Sequence, residues 1–100
     1  MSVGLYFRPS FQRSLKGLDS GQIKIVGGIL EALQVYYSTN QNLDAAKKIS
    51  SRFFYKQLRR PYVEAGVESS LRVVLRVESG KAIAILAGNH DQIKRFLLNI

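Results

Sequence analysis

The stretch from Ser70 to Gly88 constrains this chain's fold more than any other. Leu71, Val73, Leu75 and Val77 alternate with Arg72, Val74, Arg76 and Glu78, and only Val74 interrupts the polar set. That period of two is the mark of a strand with one buried face. Ser79-Gly80 supplies a two-residue hairpin turn. The returning segment, Lys81 to Gly88, holds the unbroken apolar run AIAILA from Ala82 to Ala87, as expected for a strand covered on both faces or nearly so.

Cover for that hairpin is found before and after it. Val3 to Phe7 reads as a first strand stopped by Arg8-Pro9, because the residue before proline is pushed to extended geometry. A short amphipathic helix is predicted over residues 10 to 18, starting at Pro9 or Ser10, with Phe11, Leu15 and Leu18 on its apolar stripe. Asp19-Ser20-Gly21 suits the cap of a second helix from about 20 to 37. Ile23, Val26, Leu30, Leu33 and Tyr37 follow its apolar spacing, and Ile25, Ile29, Ala32 and Tyr36 widen the face, so this helix should be mostly buried. Gly27-Gly28 in its middle is unfavourable by roughly 1 kcal/mol per glycine relative to alanine, which predicts a close approach to a neighbouring element as compensation.

Ser38 to Asn42 is a polar turn, and Leu43 to Ser51 a connecting segment with room for one helical turn. Phe53 to Arg60 reads as a strand whose inward face its poor alternation does not assign. Asn89 opens a C-terminal helix with Gln92 at the capping-box position and Ile93, Phe96, Leu97 and Ile100 at helical spacing. The order is β-α-α-β-β-β-α, an α+β class, and 100 residues suit a single domain spanning 1–100 with one core.

Fifteen Lys and Arg against seven Asp and Glu give a net charge of +8, which attracts nucleic acid, anionic membranes or acidic protein partners. No cysteine is present, so no thiol nucleophile, disulfide or Cys-based zinc site can exist. The N-terminus lacks the pattern of a secretory leader, and charges break every hydrophobic run below membrane-spanning length. A cytoplasmic protein without a membrane partner is expected. The carboxylates show no metal-ligand spacing, no G-x-S-x-G turn occurs, and glycine-rich phosphate loops are missing, so no metal and no cofactor is expected.

Three places can carry chemistry. From Lys47 to Arg60 the chain holds Lys47, Lys48, Arg52, Lys56, Arg59 and Arg60 with no acidic residue, interleaved with Phe53, Phe54 and Tyr55. Cations for phosphates and aromatics for bases make this a candidate single-stranded RNA surface, with Arg52, Tyr55, Lys56, Arg59 and Arg60 as its contacts. The alternative is a strand with core aromatics and merely solvated cations. Arg72 and Arg76 project from one face of their strand about 13 Å apart, suited to phosphate or to pairing with Glu78 or Glu68. His90, the sole histidine, follows a buried strand at the start of a helix, where it can serve as general acid or base, or as a cap paired with Asp91.

Together these segments resemble the RelE/ParE toxin superfamily of bacterial type II toxin–antitoxin pairs. The resemblance rests on Ser69-Ser70-Leu71-Arg72-Val73-Val74-Leu75-Arg76-Val77 beside the family's "YRV-x-Y-x-V", on the tight turn, and on Ile83-Ala84-Ile85-Leu86 beside "ILxxG". Gly88-Asn89-His90-Asp91 stands beside the closing "HxD" or "HD", and PSFQRSLKGL follows the first strand. Leu71 and Lys94 stand where the family has tyrosines, and Pro61 to Ser69 is longer than the usual turn between those strands.

The resemblance implies two N-terminal helices on one face of a small, mainly antiparallel sheet, with a basic face opposite. It implies a translation-inhibiting, ribosome-dependent mRNA endonuclease, or mRNA interferase, working by metal-independent attack of a ribose 2′-hydroxyl. Arg72 would then stabilise charge on the scissile phosphate, His90 would be general acid or base, and Lys56 and Arg59 would contact the mRNA backbone. The implied partners are a cognate antitoxin, in a possible toxin–antitoxin hetero-oligomer, and the ribosome with its mRNA. Two alternatives remain open, a non-catalytic ParE-like inhibitor of DNA gyrase and a degenerate RNA-binding member without nuclease activity.

Overall fold

The computed structural model describes residues 3–67 and 70–100. Among them the elements run β1 (Gly4–Phe7), α1 (Pro9–Leu15), α2 (Ser20–Ser38), α3 (Leu43–Ile49), β2 (Phe54–Gln57), β3 (Tyr62–Gly66), β4 (Arg72–Glu78), β5 (Lys81–Gly88) and α4 (His90–Leu98). The strands form one sheet in the order β1-β5-β4-β3-β2, with β1 parallel to β5 and the other neighbours antiparallel. The α+β class and the mainly antiparallel sheet agree with the sequence reading.

Local chemistry explains the elements. Pro9 opens α1 at a position where its missing N–H is not needed. Asp19 caps α2 by accepting from the Gln22 N–H while the Gln22 side chain accepts from the Asp19 N–H. Asn89 and Gln92 close the same reciprocal box on α4. Ser79 and Gly80 both adopt positive φ (53° and 74°), the backbone of a two-residue turn whose twist matches the β4–β5 hairpin.

α1 packs on β5, and α2 on β3 and β4. Phe11 from α1 and Val26, Ile29, Leu33 and Tyr37 from α2 share a core with Val63, Ala65, Val73, Leu75, Ala82 and Ala84. Burying each large member contributes about 1.5–3 kcal/mol. Val74 is fully buried yet lies on the other face of β4, outside that core, and α4 supplies the cover there. Helices on both sides are what let Ala82, Ala84, Ile85 and Ala87 all be buried. No helix among the described residues is long and apolar enough to cross a membrane.

Four expectations are corrected. Pro61 to Ser69 is not simply a long turn: β3 occupies Tyr62–Gly66, paired with β2 on one side and β4 on the other. The flanking Pro61 and Gly66 read as punctuation and hid the alternation of Tyr62 and Glu64 with Val63 and Ala65. Consequently β2 ends at Gln57, because the chain must turn before Tyr62; Leu58 N–H donates to the Tyr62 carbonyl and Tyr62 N–H to that of Arg59. The segment after Asn42 forms a seven-residue helix, capped by Asn42 accepting from Ala45 N–H and anchored by the fully buried Ala46. Finally, α2 buries one face only. Ile23 is exposed, and a Cβ built on Gly27 or Gly28 meets nothing within 4 Å, so no close approach compensates for those glycines.

Candidate functional site

Strand alternation distributes the functional side chains between two faces. On the face under α4 stand Phe54 and Lys56 from β2, Tyr62 and Glu64 from β3, and Arg72, Val74 and Arg76 from β4, in register as Phe54–Gly66–Arg72, Lys56–Glu64–Val74 and Tyr62–Arg76. α4 crosses this face with Ile93 buried and Phe96 edge-on to Tyr62, ring centroids 5.3 Å apart. Between helix and sheet lies a cavity of about 240 Å³ lined by Lys56, Leu58, Glu64, His90, Ile93, Lys94 and Leu97. Its floor is apolar, and its rim carries an imidazole, two ammonium groups and one carboxylate.

Arg72 sits at the same end of this face. Its Cα is paired with Gly88, two residues before His90, and with Gly66 on the other side. The guanidinium stacks over the Phe54 ring at 4.7 Å from its centroid, and Nη1 donates to the Leu71 carbonyl at 3.2 Å. Gly66 makes the room: a Cβ there would stand 2.7 Å from Phe54 Cε1 and 2.8 Å from Arg72 Cδ. Arg72 and His90 therefore lie on the same side of the sheet.

No family model and no curated protein matches this sequence. Among solved structures, the chain is similar to one in a RelB-RelE antitoxin–toxin complex from Methanococcus jannaschii, with TM-score 0.62 and 16% identity over 91% of this chain and 96% of that one. It is also similar to a copper-bound mutant toxin from Helicobacter pylori, with TM-score 0.59 and 18% identity over 91% of this chain and 98% of that one. The chain has the RelE-like toxin fold. At these identities the likeness concerns the fold, and the site stands on its own residues.

Within this RelE-like fold the residues singled out in the sequence do not all converge. Lys56 and His90 line one cavity, and Arg72 shares their face. Arg76 also points there but is committed to Glu78, Nε to Oε1 at 2.8 Å, with the Tyr62 ring 6.0 Å from its guanidinium carbon. The Glu78 carboxylate raises the Arg76 pKa further. Arg76 thus takes the Glu78 pairing left open in the sequence; Glu68 and Ser69 lie outside the described residues. Arg59 turns to the C-terminus of α4, where Nη2 donates to the carbonyls of Leu97 and Ile100 at 3.0 Å each. Its charge is well placed for a helix C-terminus. Arg52 is exposed in the turn before β2.

Tyr55 and Arg60 lie apart from this group. Tyr55 faces α2, its ring 4.4 Å from that of Tyr36 and its hydroxyl 2.7 Å from that of Tyr37. Arg60 borders a different cavity of about 380 Å³, with Gln41, Tyr55, Gln57, Pro61, Val63 and Val77. One residue on the rim beside His90 escaped sequence reasoning altogether, namely Glu64. The alternation Tyr62–Val63–Glu64–Ala65 was its only signal. Among the described residues no three His, Cys, Asp or Glu side chains gather as metal ligands.

Proposed function

We propose that this chain is the toxin of a toxin–antitoxin pair and cleaves translated mRNA on the ribosome. The observation that carries the reading is the cavity under α4, where the only histidine of the chain meets Lys56 on the face that also holds Arg72. Phosphodiester cleavage by a ribose 2′-hydroxyl needs a proton acceptor, a proton donor and cations for the growing charge on phosphate. His90 moves a proton, Arg72 steadies the phosphate oxygens with its planar fork, and Lys56 holds the RNA backbone. Stacking on Phe54 prepays part of the cost of ordering the Arg72 side chain, which favours a fixed charge over a mobile one.

An antitoxin is the natural protein partner. The RelB-RelE relative is an antitoxin–toxin complex, and a net charge of +8 calls for an acidic segment to cover it. Expression in cells tests the reading. Growth should stop, primer extension should reveal cuts in translated messages, and His90→Ala should abolish both. Intact message with blocked gyrase supercoiling would favour a gyrase inhibitor instead.

A further inference from the structure

We propose that the cavity bordered by Tyr55 and Arg60 binds a free nucleoside monophosphate, with the phosphate at the guanidinium and the base over the apolar floor. At about 380 Å³ this cavity falls within the roughly 300–1,000 Å³ that small-molecule sites occupy, whereas the one under α4, at about 240 Å³, does not. Gln57 and Val63 are cross-strand partners, and Val63 belongs to the core beneath α2, so the cavity opens on the side of the sheet away from α4. A message lying under α4 does not reach it, and its ligand is a separate molecule.

Polar groups converge on this cavity from three places in the chain. Gln41 comes from the turn after α2, where Asn40 and Gln41 take the left-handed backbone (φ 57° and 60°) and the Gln41 N–H returns to the Tyr36 carbonyl at 2.7 Å. Gln57 ends β2, and its Nε2 donates to the Tyr62 carbonyl at 2.9 Å, which leaves Oε1 as an acceptor. Arg60 stands exposed in the turn to β3. Among the described residues, neither the Arg60 guanidinium nor the Gln41 amide has a hydrogen-bond or ion-pair partner, and no carboxylate lines the cavity.

Tyr55 adds a further donor. Tyr37 is 1% exposed, so its hydroxyl proton is accepted by Tyr55, 2.7 Å away, because a buried O–H without an acceptor is costly. That leaves the Tyr55 proton for an acceptor in the cavity. A rim rich in donors, with one cation and no carboxylate, selects an anion, and the planar fork of arginine suits a phosphate. Inorganic phosphate alone would leave most of the volume empty and Pro61, Val63 and Val77 uncovered. A flat heterocycle covers them, and the donors and acceptors along its edge match the Gln41 amide and Gln57 Oε1. A nucleoside monophosphate joins the two halves in one ligand.

NMR titration of the full chain, labelled with nitrogen-15, tests the assignment with adenosine monophosphate, adenosine, inorganic phosphate, benzoate and a trinucleotide as probes. Adenosine monophosphate should shift the side-chain amide signals of Gln41 and Gln57 and the backbone amide of Val63. It should bind at least about tenfold more tightly than adenosine or inorganic phosphate, the effect of one charge-assisted hydrogen bond. Arg60→Gln should weaken it to the level of adenosine, and Gln41→Ala should weaken it while leaving inorganic phosphate unchanged. The thermal midpoint of the wild-type chain should rise with nucleotide concentration. Equal affinity for inorganic phosphate and the nucleotide would overturn the inference, as the mark of an isolated cation. Tighter binding of benzoate would overturn the nucleotide class, and cavity shifts with the trinucleotide alone would give the site to an RNA strand instead. Nucleotide shifts confined to the surroundings of His90 and Lys56 would also sink it.

Discussion

The hydroxyls of Tyr37 and Tyr55 meet at 2.7 Å and tie the end of α2 to β2. Side chains alternate along a strand, so holding Tyr55 on the helix side sends Phe54 and Lys56 to the face under α4. Burial, and for Tyr37 the bond to Tyr55, raises both phenol pKa values above the ordinary 10.0. Unfolded tyrosine ionises near pH 10 while the folded pair stays neutral, so its contribution is fully present below about pH 10 and is lost as pH rises beyond. Urea midpoints should fall on the alkaline side, and Tyr37→Phe should flatten that fall. An equal alkaline slope in wild type and Tyr37→Phe would show that the pair is not its source.

Gly27 lies exposed in the middle of α2 with open space where a Cβ would go. Gly27→Ala should therefore raise stability by about 1 kcal/mol, read as a higher thermal midpoint with cleavage unchanged. A lower midpoint would mean that a neighbouring group closes on this turn of α2.

Gly66 behaves in the opposite way. A methyl group there would collide with Phe54 and with Arg72 Cδ, so Gly66→Ala should destabilise by about 1–3 kcal/mol through overpacking. It should also displace the guanidinium and reduce cleavage at least as much as Arg72→Lys does. Full activity in Gly66→Ala would separate Arg72 from the chemistry.

Arg59 holds down the end of α4 through two carbonyls. Arg59→Gln should accelerate amide hydrogen exchange over residues 93–99 several-fold, because one bond holds the last turn of α4 and the other the residue after its cap. Unchanged exchange there would mean that solvent competes successfully for the guanidinium.

Much of this fold was legible because local signals agreed with one another. The β4–β5 hairpin, the cap of α2 at Asp19, the capping box at Asn89 and the both-sides cover of β5 all appear where the residues indicated them. β3 was not legible, since its five residues follow Pro61, end on Gly66 and take their backbone bonds from strands on either side. The candidate site divided along the same line. Arg72 and His90 fall on clear patterns, and the structure brings them to one face. The basic run from Lys47 to Arg60 looked continuous in sequence, but a strand and a turn send Lys56, Arg59 and Arg60 to three different surroundings. Charge density along a chain does not reveal which face each charge takes.

The account stands on the face under α4 being the one that holds and cuts RNA. Single-turnover cleavage of ribosome-bound message by Lys56→Gln, His90→Gln and Arg60→Gln compares that face with the opposite one in a single experiment. Lys56→Gln and His90→Gln should each slow cleavage by at least about tenfold, while Arg60→Gln stays within about twofold of wild type. Loss of cleavage in Arg60→Gln with near-normal rates in the other two would contradict the account.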